Sequence, residues 1–249
     1  PRISLSLDST KPEIHDKIRN IPGAFHRTVE SIKLLVKHDM PPQVIASLLS
    51  ENKDEIEDIL VYAESLGADS FKLNIVQPTE RGEQLQKKGE LVDIKEVIDI
   101  VNTLHNDYCD KRDIAITVTV PFAFRPLNLI DKGYISRCGI MNILGVLPTG
   151  EYALCGIGSS IEELVFGTVG IDKLSDVWND NSVLNKLRSE LPDNLEGICS
   201  NCLVKGLCLG SCIAQNYYAS KSLTAPFWFC ELADARGLFP ASRKVSPEK

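Results

Sequence analysis

Four of the chain's eight cysteines fall within the sixteen residues from Gly197 to Cys212, spaced C-x2-C-x5-C-x3-C. Seven of the eight follow residue 137, namely Cys138, Cys155, Cys199, Cys202, Cys208, Cys212 and Cys230, and only Cys109 lies upstream. Eight in 249 residues is too sparse for a disulfide scaffold, and, with no secretory signal expected, metal or cluster ligation is favoured over disulfides. Thiolates are soft donors that suit zinc or iron–sulfur clusters. C-x2-C pairs are common in zinc ribbons. Against zinc, the x5 and x3 gaps are not paired knuckles, and seven thiolates do not divide into two complete four-thiolate sites. Spacing alone leaves both metals open.

Upstream of the cysteines the pattern is regular. RISLSLD alternates as a strand. AFHRTVESIKLLVKH places Phe25, Val29, Ile32 and Val36 on one helical face. PQVIASLL is a short apolar run. Asn52 with Glu55 predicts a capped helix carrying Ile56, Ile59, Leu60, Ala63 and Leu66, stopped by Gly67. DSFKLNIVQP predicts a strand, the run from Leu91 to Leu104 an amphipathic helix, and AITVTVP another strand. Strands alternating with helices imply βαβ units and a parallel sheet, with ligands at the carboxyl ends of the strands. The polar tips there are Ser6–Asp8, Leu49–Asn52 and Asn74–Thr79.

Beyond about residue 126 the text changes to short strands (NILGVL, EYALC, LVFGTVG), one long helix (KLSDVWNDNSVLNKLRSEL) and the cysteine-rich tail. Cys138 and Cys155 flank a hairpin-like segment with Thr149-Gly150 as its turn. The expected domains are a barrel part at 1–125, a cysteine-rich module at 126–240 and a tail at 241–249. Net charge is −7, which gives no general attraction to nucleic acid or to an anionic membrane. No apolar run is long enough to span a bilayer, and a cytoplasmic location is expected.

The full pattern, C-x11-G-x4-C, then C-x2-C-x5-C-x3-C, then Cys230, resembles the seven-cysteine signature of SPASM domains, the auxiliary-cluster modules of many radical S-adenosylmethionine (SAM) enzymes. LVFGTVGIDKLSDVW resembles the segment joining the two cysteine groups. SLSLDSTKPEIHDKIRNIPGAF resembles the fourth strand and following loop of the radical SAM partial barrel, often SLDG then HDxxR. The implied fold class is α/β: the second half of a partial (β/α)6 TIM barrel followed by a small α+β, cysteine-rich SPASM module.

The resemblance implies two auxiliary [4Fe–4S] clusters. Cys199, Cys202, Cys208 and Cys230 would hold auxiliary cluster II, and Cys138, Cys155 and Cys212 auxiliary cluster I. The fourth ligand of cluster I, often a cysteine just before the first, has no counterpart in NLIDKGYISR. Asp131 could close the site, or a substrate thiolate could. Ser6 and Arg19 would contact the ribose and carboxylate of S-adenosylmethionine. Asp8 reads as a turn cap or a ligand, His15 as a structural hydrogen-bonding residue, and Cys109 as a half-buried helix-end thiol.

The C-x3-C-x2-C loop that binds the radical-generating cluster is absent. The chain opens on Pro1 inside an apolar alternation, so that loop, with its third cluster, is expected upstream of residue 1. The implied chemistry is reductive cleavage of S-adenosylmethionine and hydrogen abstraction from a ribosomally made peptide, with flavodoxin or ferredoxin as electron donor. Cys155 is followed by Gly156 rather than aspartate, which argues against sulfatase-maturase chemistry and leaves thioether cross-linking open. The other expectation is an iron–sulfur or zinc scaffold that recognises a peptide without radical chemistry of its own.

Overall fold

A computed structural model describes residues 3–109, 111–131, 138–156 and 160–245. The chain divides into two compact units, the first comprising residues 1–120 and 125–136, the second 121–124 and 137–249.

The first unit runs β1 (Ser4–Ser6), α1 (Pro12–Arg19), α2 (Ala24–Lys37), β2 (Gln43–Leu48), α3 (Ile56–Ser65), β3 (Ser70–Ile75), α4 (Arg81–Lys87), α5 (Ile94–Thr103), β4 (Ala115–Val118) and α6 (Leu127–Asp131). Its four strands lie in sequence order and all neighbours are parallel. Register places Leu5 beside Val44, Val44 beside Phe71 and Phe71 beside Ile116, then Ala46 beside Leu73 and Leu73 beside Val118. That apolar face meets α3, whose Ile59, Leu60 and Ala63 are sealed from solvent together with Phe71, Leu73, Val44 and Ala46. Alternation in the strands and i, i+3, i+4 spacing in the helix therefore converge on one core.

The helix ends use polar groups that the spacing did not foretell. Asp16 accepts from the Phe25 N–H at 2.8 Å and from the Gly23 N–H at the start of α2, and these donors hold its carboxyl below the ordinary range. The expected cap at Asn52 is not one. Its side chain is fully buried, accepts from Leu49 N–H at 2.9 Å, and donates to the carbonyls of Asp8 at 2.7 Å and Ser47 at 3.0 Å. Glu55 likewise turns to Ser9 Oγ at 2.8 Å and Lys11 Nζ at 2.9 Å. Both residues tie strand ends together rather than closing a capping box. α1 occupies a stretch that the sequence suggested as a loop, α4 one to which it gave no element, whereas α5 starts, with Asp93 as its side-chain cap, inside the expected helix. α5 passes into a π-helical turn, Leu104–Tyr108, that buries His105.

The second unit contains β5 (Gly145–Val146), β6 (Glu151–Ala153) and β7 (Val165–Thr168) as an antiparallel sheet. The Leu147–Gly150 turn between β5 and β6 is closed by Gly150 N–H to Leu147 O at 2.8 Å. α7 (Leu174–Asp180), α8 (Ser182–Glu190), α9 (Gly197–Ser200), α10 (Lys205–Cys208), α11 (Ile213–Ser220) and α12 (Trp228–Ala235) follow. The single long helix expected over KLSDVWNDNSVLNKLRSEL is two. Asn181 is extended, and its Oδ1 accepts from Val183 and Leu184 N–H at 3.0 and 3.1 Å, so it starts α8 as an N-cap. Among the described residues no helix is long and apolar enough to cross a membrane.

Candidate functional site

Four of the sequence-singled cysteines line one pocket of the second unit. Cys199 on α9, Cys202 just after it, Cys208 at the end of α10 and Cys230 on α12 share that lining with Leu195, Ile198, Val204 and Phe239. Local geometry places them. Glu231, next to Cys230, accepts from Ile198 N–H at 2.7 Å, tying the Cys199 turn to α12. Gly197 has φ +53, and a Cβ there would lie 2.0 Å from Glu231 Oε1, so the tie requires glycine. Cys202 is joined to Lys244 through an antiparallel bridge.

Between Cys208 and Cys212 all three residues are left-handed: Leu209 (φ 52), Gly210 (φ 76) and Ser211 (φ 62). Such a run is costly for side-chain-bearing residues. It is held by Asn216 Nδ2, which donates to Gly210 O at 2.9 Å and Ala225 O at 3.0 Å. The tight reversal leaves Cys208 in the pocket and carries Cys212 to the start of α11.

The thiols respond to one another in two sets. Burial pushes Cys199 up to about 11, and the Cys208 and Cys202 thiols push the same way. Cys230 is raised by burial and then by Cys199, Cys208 and Cys202. Burial raises Cys202 as well, against the pull of Arg243 and Lys205. Cys212 is pushed up to about 11 by burial, and its thiol neighbours are Cys155 and Cys138. Cys155 follows β6, where a Cβ on Gly145 would lie 3.3 Å from its Cα. Cys109 belongs to the first unit, half-buried at the end of the π-helical turn.

All eight cysteines are free thiols. Buried thiols raised in this way are unfavourable as thiolates without a cation, and a metal core supplies that charge. Among the described residues no group of three or more His, Cys, Asp or Glu is placed so as to hold a metal ion. A four-iron cube takes one thiolate on each iron, so four thiols is the donor number that it requires. The donor set of the pocket fits such a cluster. The Asp131 side chain, a suggested closing ligand for the other set, lies outside the described residues.

The first unit offers a different surface. Opposite its core, the sheet carries Ser4 and Ser6, Gln43, Ile45 and Ser47, Ser70, Lys72 and Asn74, and Ala115 and Thr117 in register. Parallel sheets are ordinarily apolar on both faces, so this polarity marks a place for a ligand. Ser6, singled out for S-adenosylmethionine, is half-buried on that face. Arg19, its expected companion, ends α1, and its guanidinium is engaged by Asp8. Asp8 is fully buried, takes Ser47 N–H at 2.9 Å on its other oxygen, and gives its own N–H to His15 Nδ1 at 3.1 Å. His15 thus plays the structural part expected of it, and Asp8 fastens β1, α1 and β2. Sequence reading passed over Lys72, Ser47 and Thr117. The signal was the period-two alternation in SFKLNIV, which puts lysine on the face opposite Phe71 and Leu73.

No family profile matches the chain. It is 27% identical over 240 residues to the AdoMet-dependent heme synthase of Methanosarcina barkeri, covering 88% of this chain and 64% of that protein. It is 26% identical over 226 residues to the antilisterial bacteriocin subtilosin biosynthesis protein AlbA of Bacillus subtilis, covering 82% of this chain and 45% of that one. Among solved structures, Streptococcus suis SuiB bound to S-adenosylmethionine superimposes with a TM-score of 0.65 at 14% identity, over 90% of this chain and 52% of SuiB. The chain thus spans about two thirds or less of the length of these relatives. They are radical SAM/SPASM-type enzymes, and the fold is theirs: α/β, with the parallel sheet of a partial TIM barrel.

Proposed function

We propose that this chain, whose relatives are radical SAM/SPASM-type enzymes, is the part of such an oxidoreductase that carries half of the partial barrel and two auxiliary [4Fe–4S] clusters, and that it modifies a ribosomally made peptide. The observation that carries the reading is the division of seven thiols into two sets, one around the Cys199–Cys202–Cys208–Cys230 pocket and one joining Cys212 to Cys155 and Cys138. When bound, S-adenosylmethionine and the radical-generating cluster of the whole protein supply the carbon radical that abstracts hydrogen from substrate.

This chain's own residues do the rest. Ser6 offers a hydroxyl to the cofactor's ribose. Asp8 and Arg19 hold α1 against the strand ends beside it, and Arg19 turns toward the cofactor only as far as that ion pair allows. Cys199, Cys202, Cys208 and Cys230 hold auxiliary cluster II in a largely apolar pocket; Cys138, Cys155 and Cys212 hold auxiliary cluster I and leave room for one further donor. The finer reading is a cysteine-containing peptide and a thioether product. AlbA, by its name a bacteriocin biosynthesis protein, supports a peptide substrate. An electron donor of the flavodoxin or ferredoxin type and a cytoplasmic location belong to the same reading.

Metal content tests it. Anaerobically reconstituted protein should bind about eight irons in these two auxiliary clusters, beyond any held upstream. Cys202→Ala and Cys155→Ala should each remove about half of those irons, with different spectroscopic signals lost. Stoichiometric zinc with negligible iron would return the molecule to a scaffold role. Loss of the same signal in both variants would overturn the ligand division.

A further inference from the structure

The polar face of the sheet is not uniform along the strands. Its amino-terminal row is closed on itself: Ser4 Oγ donates to Gln43 Oε1 at 3.3 Å, Gln43 Nε2 to Ser70 Oγ at 3.5 Å, and Ser70 Oγ to Asp69 Oδ1 at 2.6 Å. The next row aligns Ser6, Ile45, Lys72 and Thr117, and the one after it begins with Ser47 and Asn74. Among the described residues the side chains of Ser6, Ser47, Lys72, Asn74 and Thr117 have no hydrogen-bond or ion-pair partner, and none of their polar atoms is sealed from solvent. Polar groups are thus satisfied at the amino ends of the strands and left open toward the carboxyl ends, where parallel sheets bind ligands.

Lys72 stands out in that open area. Its row neighbours, Ile45 and Thr117, carry no charge. The acids closest in the register are taken: Asp8 by Arg19 and the Ser47 N–H, Asp69 by Ser70. Lys11, Lys17 and Lys53 of this unit are matched with Glu55, Glu51 and Glu96, and Lys37 and Lys88, also without an ion-pair partner among the described residues, are exposed, whereas Lys72 is half-buried. Lys72 is half-buried as a residue while its ammonium stays open to solvent, and a compact ammonium is a good point-charge partner for an anion. Strands about 4.8 Å apart put Lys72 some two spacings, about 10 Å, from Ser6 and one spacing from Thr117. A ligand meeting Ser6 at one end can meet Lys72 at the other.

We propose that Lys72 is the carboxylate-binding residue of the open face, with Asn74 and Thr117 as flanking hydrogen-bond groups. The carboxylate is either that of S-adenosylmethionine, in place of the grip expected from Arg19, or one borne by the substrate. The first source rests on the radical SAM reading; the anion site itself does not.

The test uses the full-length, cluster-reconstituted protein. Calorimetry gives the affinity of S-adenosylmethionine and of its decarboxylated analogue for wild type, Lys72→Met and Lys72→Arg. Separately, protection of Lys72 from acetylation by acetic anhydride is read by peptide mass spectrometry, with succinate as the probe on protein already saturated with S-adenosylmethionine. Circular dichroism and iron content confirm that the variants fold. If the cofactor supplies the carboxylate, Lys72→Met weakens S-adenosylmethionine by about tenfold to a hundredfold, leaves the decarboxylated analogue unchanged, and Lys72→Arg keeps most of the affinity. If the substrate supplies it, S-adenosylmethionine binds all three proteins equally while succinate protects Lys72. No loss in Lys72→Met together with no protection overturns the proposal. Wild type that fails to bind S-adenosylmethionine at all would defeat the radical SAM reading instead, and succinate protection would still decide for Lys72.

Discussion

The two units are stabilised by different physics. In the first, Phe71, Leu73, Val44, Ala46, Ile59 and Leu60 are sealed in one apolar core between sheet and helix, and regular hydrogen-bonded strands run through it. In the second, strands are two to four residues long, α9 and α10 are single turns, and four thiols surround a pocket in which burial penalises the charged forms of Cys199, Cys202 and Cys230. The second sets four thiols around one pocket, and on the proposed reading the metal they bind contributes to its folding free energy.

The largest expected effect follows from withholding iron. Hydrogen exchange on protein made without iron should show α9 to α12 unprotected while β2 and β3 stay protected. Equal protection of both regions would end the contrast. Next in size, Phe71→Ala should cost the first unit about 3–5 kcal/mol in denaturant unfolding, with the iron bound by the second unit unchanged in folded protein. A parallel loss of iron would mean that the two are not separately stabilised.

His105 gives the first unit a pH signature. Burial, helped by the Arg125 guanidinium, lowers it from 6.5 to about 4. The unfolded chain therefore takes up this proton first as pH falls. Its contribution is fully present above pH 6.5 and is lost as pH drops toward 4, by up to about 3 kcal/mol. His105→Gln should flatten that part of the stability profile; an unchanged slope would assign it to other groups. Smallest, Asn181→Ala should cost about 1 kcal/mol by uncapping α8, measured as a lower unfolding midpoint of the iron-loaded protein. No change would mean that cluster binding dominates helix capping in the second unit.

Legibility followed the same division. The strands and core helices of the first unit were readable because their periods, 2 and 3.6, are imposed by one buried face. The roles of Asn52 and Glu55 were not, since a capping box and a strand-end clamp use the same residues, and only the neighbour that arrives from elsewhere in the chain, Asp8 or Lys11, separates them. In the second unit the thiol spacing was legible, whereas the break at Asn181 was hidden, because an apolar helical period continues across it.

The sequence by itself determined which residue types were available: seven clustered thiols, a parallel α/β pattern, and an alternation that sets polar residues opposite Phe71 and Leu73. Covalent order and side-chain period suffice for that. Tertiary structure decided which groups meet. Three left-handed residues send Cys208 and Cys212 in different directions, Asp8 engages Arg19, and strand register brings Lys72 into one row with Ser6 and Thr117 while leaving it without a counter-charge. Those outcomes depend on contacts between segments tens of residues apart, where electrostatics and hydrogen bonding act through space and no local period records them.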